Sequence, residues 1–125
     1  MNTVRFGDKK PLPRFPEMVN QGQIESEILR LSRMLEANTD EHALAAEKEA
    51  AAEVNWKAEE AVSMLQSEQK SAGLREAEAL VAHRELFAAY RASQAILGAI
   101  TEKNRTLRAQ LDALRTLSAN VRSQT

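Results

Sequence analysis

A chain of 125 residues that is 43% apolar but only 4% aromatic, with 21 alanines, excludes a thick globular core and points to an extended helical domain. The absence of cysteine excludes disulfides, thiolate metal sites and a thiol nucleophile, and no run approaches the ~20 apolar residues of a membrane span. The net charge of −1 hides segregation: residues 40–70 carry eight acids against three lysines, and residues 103–122 carry five bases against Asp112.

Length fits one domain, and the N-terminus lacks the apolar core of a signal peptide, so a soluble, cytoplasmic protein is expected. Residues 1–22 read as an extended, basic, proline-rich arm. Pro11, Pro13 and Pro16 remove three backbone donors and bar a helix, while Arg5, Lys9, Lys10 and Arg14 alternate with apolar neighbours. Phe6 and Phe15 are candidate contacts for a partner, and Pro13-Arg14-Phe15-Pro16 has the outline of a polyproline ligand.

Residues 23–125 form the helical domain. Helix is expected to begin near Gln21 to Gln23, with a first stripe of Ile24, Ile28, Leu31 and Leu35. A second stripe follows: Leu44, Ala51, Val54, Ala58, Ala61 and Leu65. The two stripes differ in direction by roughly 160° at about 100° per residue. A kink or break near residue 39 would reconcile them, with Asp40 able to cap a new helix. Ser71-Ala72-Gly73 supplies a stop, with Gly73 suited to a left-handed C′ position.

The long helix after Gly73 carries the strongest signal. Leu86, Tyr90, Ser93, Leu97, Ile100, Asn104, Leu107, Leu111, Leu114, Ser118 and Val121 alternate spacings of four and three without a slip. Only Gly98 offers a soft spot. Segments 24–69 and 74–121 are nearly equal in length, so the expected fold is all-α: a long, coiled-coil-like antiparallel hairpin. A three-helix bundle with a turn at Asn38 is the alternative. Leu97, Asn104 and Leu111 fall at a positions, and Ile100, Leu107 and Leu114 at d. An asparagine at a restricts register in coiled coils. Because two helices alone leave a heptad seam partly wet, Leu97, Ile100, Asn104, Leu107, Leu111, Leu114 and Val121 are expected to join copies of the chain, most simply as a dimer.

No catalytic constellation emerges. The Glu-x-x-His spacing of di-iron bundles is missing, because Thr39 precedes His42 by three and Leu80 precedes His83 by three. A hairpin turning near residue 72 would bring His83 near Glu60, an ordinary surface pair. No phosphate loop or cofactor motif occurs, and the glutamates of residues 41–60 read as a solvated helical face. The expectation is therefore no enzyme, no metal and no cofactor. Trp56 either covers the edge of the seam or stands out as an anchor for a partner. Arg105, Arg108, Arg115 and Arg122 form a basic ribbon with Lys103, a candidate nucleic-acid contact without a groove-reading motif.

Three segments bear a resemblance. Ala52-Glu53-Val54-Asn55-Trp56-Lys57, Tyr90-Arg91-Ala92-Ser93-Gln94-Ala95-Ile96 and the close from Leu107 to Ser118 resemble small helical accessory proteins of tailed bacteriophages. The resemblance covers roughly residues 40–122 and leaves the arm unmatched. It implies no catalytic residues, and a place in the cytoplasm of an infected cell or on the virion. The functional expectation is a non-enzymatic, phage-type accessory protein that self-associates and binds another protein. The alternatives are a DNA-binding accessory of phage replication or recombination, and a virion component docking through its arm.

Overall fold

The computed structural model describes residues 20–124, helical except for Asn20, the turn 67–71, His83 and Gln124. Helix α1 spans Gln21–Gln66, α2 spans Ala72–Ala82 and α3 spans Arg84–Ser123. Phe6, Phe15 and the rest of the proline-rich arm lie outside the described residues. The fold is the expected all-α antiparallel hairpin: α1 runs up one side, and α2 and α3 return along the other. At 1.5 Å per residue, the 46 residues of α1 make a rod of about 69 Å.

Asn20 starts α1. Its side chain accepts from the Gln23 backbone N–H at 2.9 Å, and the Gln23 side chain accepts the Asn20 N–H at 2.9 Å. This reciprocal box satisfies two donors that a helix start would leave unpaired. At the other end the chain turns through residues 67–71. Ser71 Oγ caps α2 by accepting from Leu74 N–H, and the Arg75 guanidinium donates to the Gln69 carbonyl at 2.7 Å. Gly73, expected to end a helix in the left-handed region, lies inside the first turn of α2, and no described glycine has positive φ.

The expected break near residue 39 is not found. Helix α1 passes through Asn38, Thr39 and Asp40, and the Thr39 hydroxyl donates to the Leu35 carbonyl one turn back. The reason is a seam that apolar residues alone do not reveal. Ile24, Ile28, Leu31, Leu35, Asn38, His42, Ala45, Glu49, Ala52 and Trp56 alternate four and three, and all are buried or half-buried. Three polar side chains disguise this continuous line. Leu44, Val54 and Leu65, taken above as the inner stripe, are 58%, 65% and 86% exposed. The phase difference therefore separates two opposite faces of one helix. The one interruption of the return limb comes at His83, between α2 and α3, and the Phe87 N–H to His83 carbonyl bond resumes the ladder at once.

The seam on the return limb faces inward as the sequence indicated. Leu107 and Leu111 are buried against Leu31, with Ile28, Leu35 and Leu114 packed around them. This cluster occupies the open half of the hairpin, where α1 begins and α3 ends. In the turn half the inner face of α1 is filled by Ala45, Glu49, Ala52 and Trp56, and large side chains sit outside. Leu107→Ala should therefore cost about 2–4 kcal/mol in urea unfolding, while Ile96→Ala on the outer face of α3 should stay within about 0.5 kcal/mol. Equal losses at the two positions would contradict the placement of the core.

Candidate functional site

The seven residues expected to join copies all lie on the face of α3 that meets α1. Leu107 and Leu111 are buried, and Leu97, Ile100, Asn104, Leu114 and Val121 are half-buried. Leu107 and Leu111 are covered within the chain, and the other five keep part of their surface exposed. The antiparallel α1 supplies Ile28, Leu31 and Leu35 around Leu107, Leu111 and Leu114, which corrects the expectation of a wet seam at Leu107 and Leu111.

Cross-helix bonds fix the register along the whole rod. Gln21 Nε2 donates to Ser118 Oγ at 2.8 Å near the open end. Midway, Asn38 Nδ2 donates to the Ile100 carbonyl at 3.3 Å, and nearer the turn the Tyr90 hydroxyl donates to Glu53 at 2.8 Å. His83 meets Glu59 at 4.0 Å, one residue from the expected Glu60. Toward the open end the steps match, 17 residues up α1 from Gln21 to Asn38 against 18 down from Ser118 to Ile100, whereas from Asn38 to Glu53 fifteen residues face the ten from Ile100 to Tyr90.

Trp56 is buried rather than displayed. Its ring meets Phe87 edge-on, with centroids 5.1 Å apart and planes inclined by 64°, which fills a seam otherwise built of alanine and glutamate. Trp56 is thus a core residue, not an exposed anchor. Tyr90 sits three residues beyond Phe87, and its hydroxyl also accepts from Gln94 Nε2 at 2.9 Å. The Glu53 carboxylate holds the phenolic proton, so Tyr90 ionises above the usual tyrosine range; burial and the charges of Glu53 and Glu49 push the same way.

Halfway along the seam lies a polar cleft of about 400 Å³, lined by Thr39, His42, Thr101, Asn104, Arg105 and Arg108. Beside it, Asn38 is 1% exposed and its Oδ1 has no hydrogen-bond partner. Both threonine hydroxyls are committed to carbonyls of their own helices, Leu35 and Leu97. Arg105 pairs with Glu102 at 2.7 Å. The cleft thus interrupts the apolar seam with an imidazole, two hydroxyls, an amide and two guanidinium groups, and no carboxylate is among its lining residues. Among the described residues there is no group of three or more side chains that could hold a metal, and no helix long and apolar enough to cross a membrane.

The basic ribbon is largely offset by neighbouring acids. Arg115 lies 3.8 Å from Asp112, and Arg122 lies 3.8 Å from Glu25 across the hairpin. Arg108 stands between the polar cleft and a smaller one lined by Leu35, Leu111, Asp112 and Arg115. The positive face of α3 is thus interleaved with negative charge.

The surface that hydrophobic patterning misassigned is the back of α1. Leu44, Ala51, Val54, Ala58, Ala61, Val62 and Leu65 are all exposed there. Leu74, Leu80 and Val81 add exposed apolar side chains on α2, where a groove between Gln69, Leu74, Ala77 and Val81 opens outward. Their seven-residue recurrence was legible in the sequence, but their direction was not. Comparison with protein-family models, curated proteins and solved structures finds no match.

Two outcomes follow from this geometry. Asn38→Leu should raise the urea midpoint, by about 1 kcal/mol of stability, because it removes an unpaired buried oxygen while the Ile100 carbonyl keeps its place in the α3 ladder. A lowered midpoint would mean that the single Asn38 bond outweighs the oxygen's burial. Tyr90 is the chain's one tyrosine, so an ultraviolet titration reads it cleanly. Its ionisation should come above that of free tyrosine, and Glu53→Gln should bring it back down. The sign is that of a raised folded-state value: the stabilisation is present below the ordinary tyrosine range and is lost as pH climbs through the raised one.

Proposed function

We propose that this chain is a non-enzymatic interaction protein that self-associates and binds another protein through apolar side chains its hairpin leaves outside. One observation carries the reading. Leu44, Val54, Val62 and Leu65 crowd the back of α1, and Leu74, Leu80 and Val81 crowd α2, all in the turn half. Isolated exposed leucines are ordinary on monomers, but a contiguous row along one helix marks a contact surface.

The magnitudes support assembly. Fully burying a Leu or Val is worth about 1.5–3 kcal/mol, so covering a half-exposed one gains roughly 1 kcal/mol or more. Four such side chains on each of two copies reach about 8–10 kcal/mol, within the ~4–15 kcal/mol range of the association cost. Only the low end of that cost leaves a surplus, at most about 6 kcal/mol, which corresponds to weak assembly at tens of micromolar or above. Joined with the resemblance of residues 40–122 to accessory proteins of tailed bacteriophages, this makes the chain a phage-type accessory that acts by binding. The nucleic-acid alternative draws less support, because Arg105, Arg115 and Arg122 each have an acidic neighbour.

Sedimentation of the unaltered protein at tens of micromolar tests the reading. A dimer or larger assembly that dissociates on dilution is the expected result. A strict monomer would overturn self-association and leave only the binding of a different protein.

A further inference from the structure

The polar cleft halfway along the seam carries chemistry that neither the hairpin contact nor the exposed apolar face uses. Thr101, Asn104, Arg105 and Arg108 follow one another at spacings of three, one and three, so one side of α3 presents all four. Thr39 and His42, three apart on α1, form the opposite wall of a space of about 400 Å³. The Asn38 bond to the Ile100 carbonyl, 3.3 Å long, ties the two helices together beside Thr39 and Thr101.

What the walls offer is donors. The Thr39 and Thr101 hydroxyl protons are taken by the Leu35 and Leu97 carbonyls. Arg105 gives Nη1 to Glu102 and keeps its other N–H groups. Among the described residues, His42 and Asn104 make no side-chain hydrogen bond although both are half-buried, and Arg108 has no ion pair. An imidazole, an amide and a guanidinium fork thus border one space that no carboxylate lines. A cation there would be repelled by two arginines, and an apolar group would strand the donors. An oxyanion satisfies them, and a guanidinium meets two of its oxygens at once. Glu102 lies one turn before Arg105 and Asp112 one turn after Arg108, so a run of phosphates would meet an acid on either side. The match is to one compact group.

We propose that this cleft binds a single phosphate-type oxyanion, with Arg108 as its bidentate partner and His42 and Asn104 donating from opposite helices. The site is independent of the self-association proposed above, because none of its residues belongs to the exposed apolar face.

Two histidines make it testable by proton–carbon NMR at fixed pH and ionic strength: His42 reports the cleft, and His83, beside Glu59, is the control. Against chloride as reference, inorganic phosphate and glycerol phosphate should shift the His42 ring resonances saturably, at millimolar concentration or below, and leave His83 in place. Tighter binding of the ester identifies an esterified ligand, and tighter binding of inorganic phosphate identifies the free ion. Arg108→Gln, at an exposed position, should weaken binding about tenfold or more, while Arg115→Gln, outside the cleft, should leave it unchanged. Circular dichroism of both variants should match that of the unaltered protein. A shift that never saturates, that chloride reproduces, or that Arg108→Gln leaves intact overturns the site. A DNA duplex that moves His42 at a lower phosphate concentration than either small anion overturns the compact ligand.

Discussion

Two helices lying side by side can shelter only one stripe of each, and this chain carries more apolar stripes than one hairpin can cover. The contact between α1 and α3 takes the line from Ile24 to Trp56 on one side and the line from Leu86 to Val121 on the other. Leu31, Leu107 and Leu111 form its densest part, and they fix the open half by removing large side chains from water. Toward the turn the inner positions shrink to Ala45 and Ala52, and the Trp56–Phe87 contact fills the space that remains. The leucines and valines of that half are left on the back of α1. Filling the inner seam of that half with small residues and the outer face with large ones leaves an exposed apolar face on the rod.

The seam also accepts a cost near its middle. Asn38 is buried with one hydrogen bond, and His42, Thr101 and Asn104 line a polar cleft in the same stretch of the seam. A long uniform heptad could slide by one repeat with little penalty. A buried asparagine bonded to the Ile100 carbonyl defines one alignment, as single polar residues do in coiled coils. Tyr90 on Glu53 and Gln21 on Ser118 reinforce that alignment toward the two ends. Register is thus carried by polar contacts and stability by the leucine cluster.

Charge segregation along the sequence becomes local pairing in space. Arg122 of the basic C-terminal segment reaches Glu25 near the start of α1, and Arg105 and Arg115 pair within their own helix. Such exposed pairs contribute little stability, typically below about 1 kcal/mol each. Their consequence is electrostatic. They leave the α3 face mixed rather than uniformly positive, which weakens any pull on a polyanion.

By itself the sequence determined that the chain is helical, that the long return limb has a single inner face, and that two limbs of matching length fold back on each other. Those properties follow from local periodicity, because the α3 seam is carried by large apolar residues that admit one phase. It did not determine which face of α1 meets α3. That helix bears two lines at heptad spacing, and the exposed one is richer in apolar residues than the inner one, where Asn38, His42 and Glu49 interrupt the pattern. Periodicity shows that a stripe exists, whereas packing against a partner decides what covers it. Only the tertiary structure placed Trp56 inside, carried α1 unbroken through residue 39, moved the turn ahead of Gly73 and set the break at His83. Each of these depends on contacts between residues far apart in the chain, which spacing along one helix cannot encode.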